Sequence, residues 1–355
     1  MASHADSGAA RARAQARPLA ISRWLGIVAA LIFLMVVIGG ITRLTESGLS
    51  MTRWEPVSGA IPPLNHAQWL AEFDAYRATP EYLKVNRGMT LAEFKHIFFW
   101  EYLHRLLGRL IGVAVALPLA WFAWKRAIPR GYGKRLVAIF ALGGLQGAIG
   151  WWMVASGLVD RPDVSHIRLA IHLLAALLIF SYTVWTALDL RQLALQSGAR
   201  PARMPTPAIW ALCLLALQIM YGAYVAGLDA GFAFNSWPKM GDEWFPSGTV
   251  MLQPFLANIV DNPVVVQFIH RWLAFAVAAA VLALAWRARS RGATTAAGAL
   301  LAAVTLQIML GIATLLSGVS IGIAVSHQAT AVLLLTAILA SAHRLGARTA
   351  DARAA

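Results

Sequence analysis

The sequence predicts an all-α integral membrane protein of eight transmembrane helices, built as two tandem, parallel-repeat four-helix bundles with N- and C-termini cytoplasmic. Three observations carry this: apolar runs of membrane-spanning length, basic residues gathered in alternate connections, and landmarks that recur in order in the second half. At 59% hydrophobic and 13% charged, the 355-residue chain is too apolar for a soluble domain. One crossing takes about 20 residues, because a rise of about 1.5 Å per residue must span about 30 Å of hydrocarbon. Runs of that length fall at 24–43, 98–122, 136–158, 169–188, 208–228, 265–286, 294–316 and 322–342.

Charge placement sets the orientation. Arg11, Arg13, Arg17 and Arg23 precede the first run, and Lys125, Arg126, Arg130, Lys134 and Arg135 fill the second connection. Arg191, Arg200 and Arg203 occupy the fourth, Arg287, Arg289 and Arg291 the sixth, and Arg344, Arg348 and Arg353 the C-terminal tail. Eight crossings put all five segments on one side, so both ends are expected in the cytoplasm. The formal net charge of +14 therefore belongs to short connections and not to one face of a soluble domain, which excludes a nucleic-acid partner. The opening residues lack an apolar core and read as a cytoplasmic tail, not a cleaved secretory signal. A single cysteine, Cys213, rules out a disulfide or Cys-x-x-Cys pair within one chain, and its apolar run marks it as a small buried hydrophobe.

The first run ends in Gly39-Gly40-Ile41-Thr42-Arg43, and an outer connection of about 50 residues with Trp54, Pro56, Pro62, Pro63, Trp69 and Tyr76 follows. The second run opens with Glu101-Tyr102-Leu103-His104-Arg105, and the third holds Gln146, Gly150, Ser156 and Gly157. Asp160-Arg161-Pro162-Asp163 turns into the fourth, which holds Arg168 and His172. The later runs replay this order. A shift of 183 places Gly39 on Gly222, Glu46 on Asp229, Gly48 on Gly231 and Trp54 on Trp237. A shift of 166 places His104-Arg105 on His270-Arg271, and one of 161 places Gln146, Gly150, Ser156 and Gly157 on Gln307, Gly311, Ser317 and Gly318. The chain then divides into a cytoplasmic tail (1–23), an N-terminal half (24–190), a cytoplasmic linker (191–207), a C-terminal half (208–342) and a tail (343–355).

Ionisable side chains inside a membrane span are costly and mark function. His104, His172, His270 and His327 lie on even-numbered spans near their outer ends, hence at one depth. Two histidines at equal depth on two helices of a bundle can ligate the iron of a flat macrocycle between them, and glycines on the odd helices would let the ring approach. A bare copper or zinc site suits this donor set less well, because paired carboxylates and thiolates are lacking. In the fourth span, register alone leaves two candidates. The 161 shift aligns His327 with His166, whereas a shift of 155 pairs it with His172, which is deeper. Arg105, Arg271 and Arg168 sit where anionic propionates would need partners.

The halves differ at one position. Glu101 precedes His104 by one helical turn, whereas its counterpart is Gln267, and Tyr102 becomes Phe268. A carboxyl in apolar surroundings can hold and pass protons. Chemistry is therefore expected in the first half and electron storage or a structural haem in the second.

Taken together, Glu101-Tyr-Leu-His104-Arg105, Arg168-Leu-Ala-Ile-His172, Gln267-Phe-Ile-His270-Arg271 and Ser326-His327-Gln328 resemble the haem A synthase family over nearly the whole chain. The resemblance implies oxidation of a methyl group of haem O to a formyl group, giving haem A for cytochrome oxidase. It implies that His104 and His172 flank haem O as substrate and haem A as product, that His270 and His327 bind heme b, and that Glu101 is catalytic. It favours His172 over His166. The first outer connection lacks the cysteine pair of some members, so thiol-based electron delivery there is excluded. The expected route is two hydroxylations of the methyl group followed by loss of water, with Glu101 managing protons. The expected setting is the inner membrane of a bacterium with the haem sites toward the periplasm. Expected partners are the lipid bilayer, a haem O synthase, an electron donor and, if the chain associates with itself, a homo-oligomer. A bis-histidine diheme cytochrome b that only carries electrons is the alternative, and it leaves Glu101 without a purpose.

Overall fold

The computed structural model describes residues 16–348 apart from 56, 57 and 160, so Arg11, Arg13, Pro56, Asp160 and Arg353 lie outside the described residues. Among the described residues eight helices are long and apolar enough to cross a membrane. We label them α1 (Pro18–Leu44), α2 (Leu91–Trp124), α3 (Gly133–Val154), α4 (His166–Leu195), α5 (Thr206–Gly227), α6 (Pro263–Ser290), α7 (Thr294–Leu316) and α8 (Ile321–Gly346).

Local chemistry explains why several helices outrun their apolar runs. α2 starts well before 98 because Thr90 and Glu93 form a reciprocal cap: the Thr90 hydroxyl accepts from the Glu93 N–H and the Glu93 carboxylate accepts from the Thr90 N–H at 2.7 Å. The prediction from hydropathy missed these polar opening turns. Ser165 caps α4, and Asn262 caps α6, whose first residue is Pro263. Pro18 likewise sits at the first position of α1.

The connection from 44 to 95, read from sequence as one long loop, contains two short helices, His66–Arg77 and Pro80–Lys84. Asn65 and Thr79 cap them, and Phe73, Tyr76, Tyr82, Phe94 and Phe98 join in an aromatic cluster with the outer turns of α2. The outer segment is thus a packed cap on the N-terminal half.

Within the first four helices, α1 packs on α2 and α4, and α3 packs on α4. Within the last four, α5 packs on α6 and α8, and α7 packs on α6 and α8. The two groups meet where α4 lies along α5 and where α8 lies along α1 and α4. The main dry core occupies the end of the bundle that carries the described termini, with Ile21, Leu25, Leu190, Leu284, Leu300 and Ile338 all inaccessible. Packing contacts and shape, not exclusion from water, hold helices together in lipid. At that end the buried Asp189 of α4 accepts from Arg135 of α3 at 2.7 Å and from the Ala202 N–H at 2.9 Å, and lies 3.0 Å from His343 of α8. At the opposite end, Arg43 of α1 crosses to the other group, donating to Ala226 O at 2.6 Å and pairing with Asp229 at 3.0 Å.

Cys213 does not sit in the interior as expected. It is exposed on α5, on a flank that would face lipid. The apolar run gave no sign of which helix face it occupied.

Candidate functional site

Each of the four histidines faces a glycine on the preceding helix. A Cβ added at Gly39 of α1 would lie 3.4 Å from His104 Nε2, and one at Gly222 of α5 would lie 3.1 Å from His270 Cε1. At Gly150 of α3 and Gly311 of α7, a Cβ would come within 2.9 Å of His172 and His327 respectively. Gly150 and Gly311 thus require the missing side chain and Gly222 leaves little room for one, whereas at Gly39 the added carbon would make ordinary contact; all four imidazoles are half-buried, not sealed. His104 and His172 are close enough to interact electrostatically, and so are His270 and His327. The residues are therefore brought together as two pairs, one in each group of four helices. His104 lies almost four turns into α2, yet still pairs with His172 near the start of α4, because the early turns of α2 extend into the outer cap.

Glutamines supply contacts that the sequence reading did not assign. Gln146 donates to His172 O at 2.9 Å and lies 3.1 Å from its Nδ1. Gln218 donates to His270 O at 3.0 Å and lies 3.2 Å from its Nδ1. Gln307 Nε2 lies 3.4 Å from His327 Nε2, and the His327 Nδ1 is 3.1 Å from Gln307 O. The Oε1 atoms of all three glutamines are buried without a partner. The signal was legible as a Gln-x-x-x-Gly spacing at 146–150, 218–222 and 307–311, one helical turn apart.

His166, the competing candidate in α4, has a different environment. It is buried between the halves, edge-on to Tyr224, 3.2 Å from Asp261, and packed where a Cβ at Gly227 would strike it. It has neither the glycine–glutamine setting of His172 nor a histidine opposite.

Glu101 is 2% exposed, and its surroundings are polar. One oxygen accepts from Arg105 at 2.6 Å, and the other accepts from the Ser50 hydroxyl and the Met51 N–H, both at 2.7 Å. It is a paired carboxylate, not the lone acid in an apolar pocket that composition suggested. Arg105 also donates to Met51 O at 2.7 Å and Arg53 O at 2.9 Å. The second half repeats this scaffold with an amide: Arg271 donates to Phe234 O at 2.8 Å, Ser236 O at 2.9 Å and Gln267 Oε1 at 3.3 Å. Gln267 in turn donates to Phe234 O at 3.0 Å. Both arginines therefore tie an outer segment to its helix. Arg168 stacks on Trp152 with its guanidinium carbon 4.6 Å from the ring centre, and donates to Trp152 O at 2.7 Å.

This donor set suits a macrocycle better than a bare ion. Among the described residues no three of His, Cys, Asp or Glu converge on a metal-sized site. Two imidazoles with glycines behind them match an iron whose remaining ligands come from a ring.

Comparison with known proteins agrees in kind. Residues 22–339 match the family model described as cytochrome oxidase assembly protein. The chain is 61% identical to the Heme A synthase of Rhizorhabdus wittichii, over 93% of this chain and 95% of that protein. It is 53% identical to the Heme A synthase of Sphingopyxis alaskensis, over 94% of both chains. It is 49% identical to that of Novosphingobium aromaticivorans, over 94% of this chain and 97% of the relative.

Proposed function

The chain belongs to the cytochrome oxidase assembly protein family, alongside proteins named Heme A synthase, and from that premise we propose the following reading. It is a multi-pass membrane oxidoreductase that converts haem O to haem A, oxidising a ring methyl group to a formyl group. The observation that carries the reading is the doubled histidine–glycine arrangement with a carboxylate in only one copy.

In this reading His104 and His172 hold the substrate haem O between α2 and α4, and Gly39 and Gly150 leave room for the rings that hold it. His270 and His327 hold a b-type haem, which when bound supplies electron storage. Gln146, Gln218 and Gln307 orient three of the ligands through the contacts of their amide groups with the rings and, for His327, through the Gln307 carbonyl 3.1 Å from Nδ1. Glu101, one turn outward from His104, accepts and returns protons as an external oxidant takes two electrons from the methyl carbon in each of two hydroxylations and the hydrated aldehyde then loses water. Arg105 and the Ser50 hydroxyl hold that carboxylate in place, so its proton must travel through this short network. Arg105, Arg168 and Arg271 stand near the outer ends of their helices, where propionates would find cations, although Arg105 is already paired with Glu101 and Arg271 is buried against carbonyls.

The basic connections support cytoplasmic termini, hence haem sites toward the periplasm in a bacterial inner membrane. Partners in this reading are bilayer lipid, an enzyme that supplies haem O, and an electron donor. The test is pigment extraction after co-expression with a haem O source. A new formyl-bearing haem is expected. Unchanged haem O with an intact redox spectrum would instead identify an electron carrier.

A further inference from the structure

Three of the four imidazoles have a glutamine one turn before the facing glycine: Gln146 for His172, Gln218 for His270 and Gln307 for His327. Such outer contacts fix the orientation and tautomer of a ligating histidine. α1 breaks the pattern. One turn before Gly39 stands Met35, whose thioether has no N–H to donate and is a weak acceptor. Its terminal methyl lies against α2, 3.3 Å from where a Cβ at Gly108 would sit. Among the described residues no hydrogen bond reaches the His104 ring, and its nearest glycine contact is the loosest of the four, at 3.4 Å.

Resting on the reading of His104 and His172 as ligands of haem O, we propose that Met35 makes His104 the releasable ligand of the substrate haem. Exchange of haem O for product, and access of small molecules to the iron, then take place on the α1–α2 side. The need differs between the two sites. A substrate macrocycle must arrive, react at its edge and leave, whereas an electron-storing haem need never leave. Met35 is a positioning residue in this scheme: it acts by leaving the His104 ring unpinned, while Gln146 keeps His172 fixed on the opposite face. One hydrogen bond of ordinary strength corresponds to about a tenfold change in a release rate.

The test uses full-length protein purified with both haems, as wild type, Met35→Gln and Gln218→Met. Two readouts are followed: transfer of haem O to excess apomyoglobin, and carbon monoxide binding to the dithionite-reduced protein. In wild type, haem O should transfer and bind carbon monoxide while the b-type haem does neither. Met35→Gln should slow transfer by about tenfold and suppress the carbon monoxide complex. Gln218→Met should make the b-type haem exchangeable and carbon monoxide-reactive, which decides the matter even if Met35→Gln fails to fold. Unchanged release in folded Met35→Gln, or a b-type haem still inert in Gln218→Met, overturns the proposal and leaves the ligand assignment standing. Wild-type protein carrying no haem at either site overturns the assignment beneath it.

Discussion

Replacing Glu101 by glutamine changes one carboxylate oxygen into an amide nitrogen with almost no change of shape. The oxygen facing Arg105 at 2.6 Å can remain an acceptor. The new amide nitrogen then takes the place that accepts from the Ser50 hydroxyl and the Met51 N–H. Ser50 can turn its hydroxyl to accept instead, but the Met51 N–H cannot, and a buried donor facing another donor costs about 1–3 kcal/mol. The second half accommodates the same amide because there the outer segment offers Gln267 a carbonyl, Phe234 O, at 3.0 Å. The fold should therefore survive Glu101→Gln with a modest loss of stability and with both haems bound. The chemistry should not survive: a positioned proton carrier contributes about 10²–10⁴-fold in rate, and an amide carries no proton at this site. Haems extracted from cells that also make haem O would be separated by chromatography, alongside a reduced-minus-oxidised spectrum of the purified variant. Haem O or a hydroxylated intermediate should accumulate over an intact spectrum. Normal haem A output from Glu101→Gln would refute the assignment of a proton role, and loss of the folded protein would refute the claim that the amide is accommodated.

Three further outcomes follow from the same geometry. Gly150→Ala and Gly311→Ala place a methyl 2.9 Å from an imidazole, so each should cost about 1–3 kcal/mol and perturb the spectrum of its own half only. Gly147→Ala, on α3 with open space around it, is the silent control, and equal effects from it would remove the cradle argument. Asp189→Ala removes the buried partner of Arg135, His343 and the Ala202 N–H, and thermal unfolding in detergent should register a loss of about 1–3 kcal/mol; a loss under about 1 kcal/mol would mean the clamp is idle. Glu81, buried in the outer cap, has its carboxyl pushed up to about 8, first by burial and then by Glu101, Glu46 and Asp163, with the Tyr76 hydroxyl opposing. The folded protein thus binds this proton more tightly than the unfolded chain. Its stabilising effect is complete below the ordinary carboxylate range and is lost as pH rises toward about 8. Glu81→Gln should flatten that fall, which is at most about 1.4 kcal/mol per pH unit; an unchanged pH profile would contradict the burial argument.

The length of the apolar runs made the eight helices legible, because about 20 apolar residues leave a long chain few alternatives. The histidines and Glu101 were legible because ionisable groups in such runs are rare. What stayed hidden was local or tertiary. The polar opening turns of α2 depend on the Thr90–Glu93 cap, and hydropathy discards polar residues. Depth and resemblance already favoured His172 over His166, but the environments that separate them come from other helices, Tyr224 and Asp261 for His166, Gly150 and Gln146 for His172. Glu101 looked isolated because its partners Ser50 and Met51 lie about 50 residues back in the outer segment. Met35 read as one more apolar residue until the three glutamines were seen against their histidines.

The central claim, two macrocycle sites with one imidazole pair each, is tested most directly by haem analysis of four purified variants: His104→Ala, His172→Ala, His270→Ala and His327→Ala. The first two should lose the substrate haem and keep the b-type spectrum, and the last two should do the reverse. A b-type spectrum that persists through both His270→Ala and His327→Ala, or that vanishes with His104→Ala, would contradict the account.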